Sequence, residues 1–254
     1  MSVPENPSKT QDIIDSSTVE LLRRHGVLRS LLISQVTEEL VEAEPLKPEE
    51  LKAVMKGYCN RHNLSTKDLI AIHRKKNGFS QEDLHWHASL QEWIRRTSLK
   101  KFEAKAELHY LKRKEQFDKV TYSQLSTSNQ FLAQELFLRL NEGEAKYGEL
   151  ASQLRRSGET KGQGRFGPIE MSKVPNPLVP QLRSNSLGTL LEPIQVQSKW
   201  LVVRLEEFQP SQFDATMNQK MCLELFQLQV EQLVDERLIA LTSASLSSSS
   251  RHLS

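Results

Sequence analysis

The sequence is poor in cysteine. Only Cys59 and Cys222 occur in 254 residues, which excludes a disulfide framework and makes a reducing compartment the simple reading. It also lacks an excess of either charge. There are 34 Lys and Arg against 32 Asp and Glu, a net charge of +2, and nothing in that balance demands nucleic acid or an anionic membrane. Long apolar runs are missing. The longest, such as Trp200-Leu-Val-Val203, hold about four residues, far short of the ~20 a membrane-spanning helix needs. The opening stretch from Met1 to Thr10 has no apolar segment of the kind found in a secretory signal. A cytoplasmic protein without a membrane span is expected. Internal repeats, a phosphate loop and a dinucleotide fingerprint are absent too. Histidine is unevenly spread: seven occur, none of them between residues 110 and 251.

What is present suffices for a folded core, with 37% hydrophobic and 26% charged residues. Residues 1–15 are polar and read as a flexible tail. From Ser16 the pattern turns helical, and Val27, Leu28, Leu31, Leu32, Val36 and Leu40 keep one apolar stripe. Pro45 ends that helix and Pro48 opens another. Asn77-Gly78 stops a third, and charged helical sequence runs on to Phe117. The character changes at Asp118. Lys119 to Leu125 is short, β-branched and aromatic, and reads as a strand. Helices over Asn129–Asn141 and Tyr147–Leu154 follow, then a polar glycine-bearing loop. A strand over Arg165–Met171 and a short helix over Pro177–Arg183 come next. Residues 192–197 and 199–208 read as a hairpin. A helix from Ser211 to Ile239 carries Phe213, Met217, Met221, Leu225 and Leu228 on one stripe. The serine-rich end, 241–254, reads as disordered. The expected fold is α+β: a small mixed unit at 118–209, inserted between N-terminal helices at 16–117 and a long C-terminal helix at 210–240. That last helix needs a partner, and the N-terminal helices are the available one.

Several segments in order carry a resemblance. They are Val120-Thr-Tyr-Ser-Gln-Leu125, Asn141-Glu-Gly-Glu144 and Tyr147-Gly-Glu-Leu-Ala-Ser-Gln153. They continue with Gly164-Arg-Phe-Gly167, Val174-Pro-Asn-Pro-Leu178, Ser186 to Ile194, and the closing strand Lys199 to Phe208. Together, residues 119–208 resemble a parvulin domain, the small α+β rotamase family of peptidyl-prolyl isomerases. The flanking helices resemble SurA-type foldases in layout. The resemblance implies an isomerase or foldase that acts on X-Pro bonds of a proline-containing client polypeptide, with no cofactor and no metal. Such an enzyme holds the proline ring in an apolar pocket and stabilises a twisted amide against a barrier of ~18–20 kcal/mol. The family does this with two histidines and a cysteine or aspartate. By position, these fall on Ser123, Trp200 and Ser157. The pocket positions fall on Phe166, Val174 and Leu178.

Other constellations have plainer readings. His85 and His87 diverge on a helix and complete no metal set. Cys59 with His62 has no third partner for nucleophilic chemistry. The segment 95–119, with nine Lys and Arg against four Asp and Glu, reads as a solvated helix face rather than a nucleic-acid site. Three functions stay open on the residues: an isomerase or foldase, a chaperone or adaptor that kept the groove without the catalysis, and a structural subunit docked by its last helix.

Overall fold

The computed structural model describes residues 16–156 and 164–249. The expected N-terminal tail and Ser157 lie outside the described residues. The chain divides into two compact units. One takes the residues up to His109 and those from Asp214, and the other is Tyr110–Phe213.

The first unit is helical: α1 (Ser16–Arg24), α2 (Leu28–Leu40), α3 (Pro48–Arg61), α4 (Lys67–Asn77), most of α5 (Gln81–Leu111) and α10 (Ala215–Ser249). Local chemistry sets the helix ends. The Glu50 carboxylate accepts from the Lys47 N–H at 2.9 Å, just ahead of Pro48. The Thr66 hydroxyl accepts from the Leu69 N–H at 3.3 Å. Gly78 takes the left-handed conformation (φ +70°) that closes α4. Ser80 and Asp83 cap α5 reciprocally, at 2.7 and 3.0 Å. The core joins the two ends of the sequence: Leu28, Leu32 and Val36 of α2 pack with Phe226, Val230 and Val234 of α10. The four-residue spacing on both helices aligns these side chains in facing rows, and each full burial contributes about 1.5–3 kcal/mol. At the margin Arg29 binds Asp235 at 2.7 Å and also Glu231, while Arg237 holds Glu39.

α10 departs from expectation at both ends. It begins at Ala215 rather than Ser211, because the Asp214 carboxylate accepts from the Met217 N–H at 2.7 Å and caps it there. It continues to Ser249, so the serine-rich stretch expected to be disordered from 241 is helical that far. No Gly or Pro interrupts 215–249. A serine costs a growing helix only about half a kcal/mol against alanine. No helix among the described residues is long and apolar enough to cross a membrane.

The second unit holds the end of α5, a single turn α6 (Lys114–Phe117), β1 (Lys119–Thr127), α7 (Gln130–Asn141), α8 (Tyr147–Arg156), β2 (Gly164–Glu170), α9 (Val179–Ser184), β3 (Ile194–Val196) and β4 (Lys199–Gln209). The strands form one antiparallel sheet in the order β2-β1-β4-β3. Met171–Lys173 and Asn176–Leu178 are short 3-10 turns. They stand where the sequence suggested the end of a strand and the start of a helix.

The sheet separates two cores. On one face Val120, Tyr122, Leu201, Val203 and Leu205 pack with Met171, Val174, Leu178 and Leu182. On the other, Leu125 and Val202 pack with Ala133 and Leu136 of α7 and with Leu150, Ala151 and Leu154 of α8. Both neighbours of β1 bulge near Thr121. On β2, Gly167 and Pro168 together stand opposite Thr121, one residue in excess, and on β4 Glu206 is the extra one. Gly167 is required there: its φ is +121°, and an added Cβ would lie 2.5 Å from the Val120 carbonyl oxygen.

Candidate functional site

Of the three expected pocket residues, the structure brings all into one cluster on the first face of the sheet. Phe166 projects from β2 and its ring stacks on Tyr122, with centroids 5.6 Å apart. It is half-buried. Val174 and Leu178 are buried beneath, Leu178 completely. They form the floor of the site rather than its contact surface. Burial pushes the Tyr122 hydroxyl above its ordinary range, which keeps it a neutral donor.

The expected polar residues are elsewhere. Trp200 packs in the second core, with Leu125, Val202 and the α7 and α8 side chains. Ser123 stands opposite Arg204 of β4, and its hydroxyl donates to Glu206 Oε1 at 2.6 Å. Its carbonyl accepts from the Tyr147 hydroxyl at 2.9 Å. The sheet therefore lies between Ser123 and Trp200 on one side and Phe166, Val174 and Leu178 on the other. The reason is the two-residue period of a strand: a shift of one position moves a side chain to the opposite face.

The adjoining positions supply what the first face does carry. Gln124 is directly opposite Val203, and Ser126 opposite Leu201. Directly paired residues share a face, so Gln124 and Ser126 belong with the Phe166 cluster. Sequence reading missed them, although strand alternation from the apolar Val203 and Leu201 is the signal that finds them. Gln124 is half-buried; Ser126 is buried. Gln124 and Ser126 are the polar side chains that β1 adds to the Phe166 face. No histidine or cysteine occurs anywhere in Tyr110–Phe213, so an imidazole or thiol mechanism has no groups here.

The second face holds a polar network instead. Arg204 donates to Glu206 Oε1 at 3.0 Å, and its guanidinium lies 5.2 Å from the centre of the Tyr147 ring. Burial alone would raise the Glu206 carboxyl. The hydrogen bonds from Ser123 and Arg204 outweigh it, and the group sits below its ordinary range. Burial raises the Tyr147 hydroxyl strongly. A charged group this well satisfied is a fastening between β1, β4 and α8, not a poised acid or base.

No protein-family model matches the chain, and no curated protein does. Solved structures are similar to it. The peptidylprolyl isomerase PrsA of Bacillus anthracis is 14% identical with a TM-score of 0.43, over 85% of this chain and 97% of that one. The foldase protein PrsA of Streptococcus pneumoniae is 16% identical with a TM-score of 0.41, over 96% and 92%. A SurA-like chaperone of Campylobacter jejuni is 19% identical with a TM-score of 0.30, over 78% and 85%. One of the two Campylobacter proteins described together is called periplasmic.

Proposed function

We propose that this chain is a foldase-type chaperone whose second unit, a parvulin-like domain, engages X-Pro segments of a client polypeptide. The observation that carries this is the seating of Phe166 over Val174 and Leu178 on the β1–β4 face. A half-exposed aromatic ring on a rigid apolar floor suits the flat, apolar proline ring. The face offers an amide at Gln124 and no imidazole, so holding the segment is its main contribution.

The test is binding of a fluorescently labelled proline-containing peptide to the whole chain, read by anisotropy. Phe166→Ala removes the exposed ring and is expected to weaken binding roughly tenfold, the value of one buried aromatic contact. Trp200→Ala, on the opposite face, is expected to leave affinity within about twofold, as surface and remote changes do. Unchanged binding in Phe166→Ala would rule out this face.

Catalysis is the second reading, and the half-buried Gln124 favours it. A twisted X-Pro amide gains hydrogen-bonding capacity at its nitrogen and carbonyl, which an amide can meet. In a protease-coupled isomerisation assay, acceleration by wild type that disappears in Gln124→Ala supports an active isomerase. No acceleration by wild type leaves the chaperone reading alone.

A further inference from the structure

The helical unit contains a cleft of about 1020 Å³ between the end of α2, the 41–46 connection, α3 and the first half of α5. Its apolar wall is Val41, Leu46 and Leu51 with Trp86 and Trp93. Two of the chain's three tryptophans are thus in one place, their ring centroids 4.9 Å apart. Trp93 is fixed there by donating its indole N–H to the Glu44 carbonyl at 2.8 Å. Both rings are only half-buried, so the wall remains open to solvent. An open cleft at the upper end of the roughly 300–1,000 Å³ range of small-molecule sites suits a stretch of polypeptide better than an enclosed metabolite.

The rim is acidic. Glu38, Glu39, Glu42, Glu82 and Asp83 line the cleft. Glu39 is neutralised by Arg237 and Glu42 by Lys100. Asp83 is engaged with the Ser80 N–H. Glu38 and Glu82 are exposed and have no ion-pair partner among the described residues. The one lysine of the lining, Lys101, gives its ammonium to the Leu40 carbonyl at 2.8 Å. Glu38 and Glu82 therefore stand beside the aromatic wall without an ion pair among the described residues, while Lys101 acts on Glu42 and His87 on Asp83. The two unpaired carboxylates favour an approaching positive charge both at long range and, next to the indoles, at contact.

We infer that this cleft binds an extended, cationic–apolar polypeptide segment, in which Lys or Arg alternates with large apolar residues. The inference rests on the reading of the chain as a client-binding chaperone and assigns it a second site with its own preference, independent of proline. The apolar side chains lie on Trp86 and Trp93, and the cations meet Glu38 and Glu82.

The experiment uses the whole chain and three proline-free peptides of equal length, with Leu alternating with Lys, Ser or Glu. Binding is read by anisotropy of a label on the peptide. The Lys–Leu peptide is expected to bind most tightly, the Ser–Leu peptide more weakly, and the Glu–Leu peptide not at all. Raising salt from 0.05 to about 0.5 M is expected to weaken the first by roughly tenfold and the second little. The double variant Glu38→Lys, Glu82→Lys, both at exposed positions, is expected to remove the Lys–Leu preference while circular dichroism stays that of wild type. Trp86→Ala is expected to weaken both the Lys–Leu and Ser–Leu peptides. Equal binding of the Lys–Leu and Glu–Leu peptides, or a Lys preference that survives the double variant, overturns the inference. Loss of proline-peptide binding with Lys–Leu binding intact would overturn the proline-engaging role of the second unit and leave this site standing.

Discussion

At the scale of single residues, identity and order in the sequence sufficed to single out Phe166, Val174 and Leu178, which the fold gathers into one apolar cluster. They did not suffice for the polar set, which needed register. Ser123 and Gln124 are adjacent in sequence and belong to opposite faces. The bulges opposite Thr121 shift the parity of β1 against both neighbours, and no composition rule announces that. Gly167 is the residue on which this arrangement depends most. Gly167→Ala places a Cβ 2.5 Å from the Val120 oxygen and 2.8 Å from the Thr121 Cα. Both are backbone atoms that cannot swing aside, and the φ of +121° is unfavourable for any L side chain. Chemical denaturation is expected to show a loss of about 3 kcal/mol in the second unit. A loss under about 0.5 kcal/mol, the range of an ordinary surface change, would contradict the close approach.

At the scale of elements, the helices were read well where local signals and periodicity agree, as at Pro48 and Gly78. α10 was misjudged at both ends because a capping carboxylate and the cheapness of helix growth outweigh composition. α5 carries an electrostatic device that follows from its own spacing. Glu92 accepts from Arg95 at 2.8 and 2.6 Å and from Arg96 at 2.8 Å, and Arg96 also reaches Glu50 of α3 at 2.8 Å. The hydrogen bonds from Arg95 come first among the causes that lower the Glu92 carboxyl from 4.5 to about 2. A carboxyl lowered on folding stabilises the ionised state. Its contribution is complete above its unfolded value near 4.5 and is lost as pH falls toward 2. The two arginines are about one-third exposed, and solvent screening reduces the effect to about 1 kcal/mol. Glu92→Gln is therefore expected to be less stable than wild type by about that amount at pH 7. The two unfolding curves are expected to converge near pH 2. A gap that persists unchanged into acid would mean that packing, not charge, is what the substitution removes.

At the scale of the whole molecule, the sequence announced the α+β class and the interruption of helices by a mixed unit, because the change of period at Asp118 is abrupt. How that unit closes on itself was not visible, since it depends on residues far apart in the chain. Tyr110 stacks near Phe117 and Phe213, with ring centroids 6.0 and 5.4 Å away, and its hydroxyl bonds Ser211 at 2.9 Å. Asp118 accepts from the Ser211 N–H at 2.9 Å and pairs with Arg183 at 3.1 Å. These contacts clasp the entry and exit of Tyr110–Phe213 together. The isolated fragment 110–213 is accordingly expected to fold alone, with one cooperative thermal transition by circular dichroism. An unfolded fragment would show that the clasp does not suffice.

The joining of α2 to α10 has a consequence for how the chain emerges from the ribosome. The Glu39–Arg237 pair closes 198 residues of sequence, and Leu32 and Val36 have no α10 to cover them until Phe226, Val230 and Val234 have been made. The inserted unit is complete before its host is, so it can fold first while the early helices wait with their apolar rows uncovered. A stop codon between Phe213 and Phe226 would release a product with a complete sheet unit and an orphaned α2. Such a product would be a substrate for the cell's own quality control rather than a shortened version of the protein.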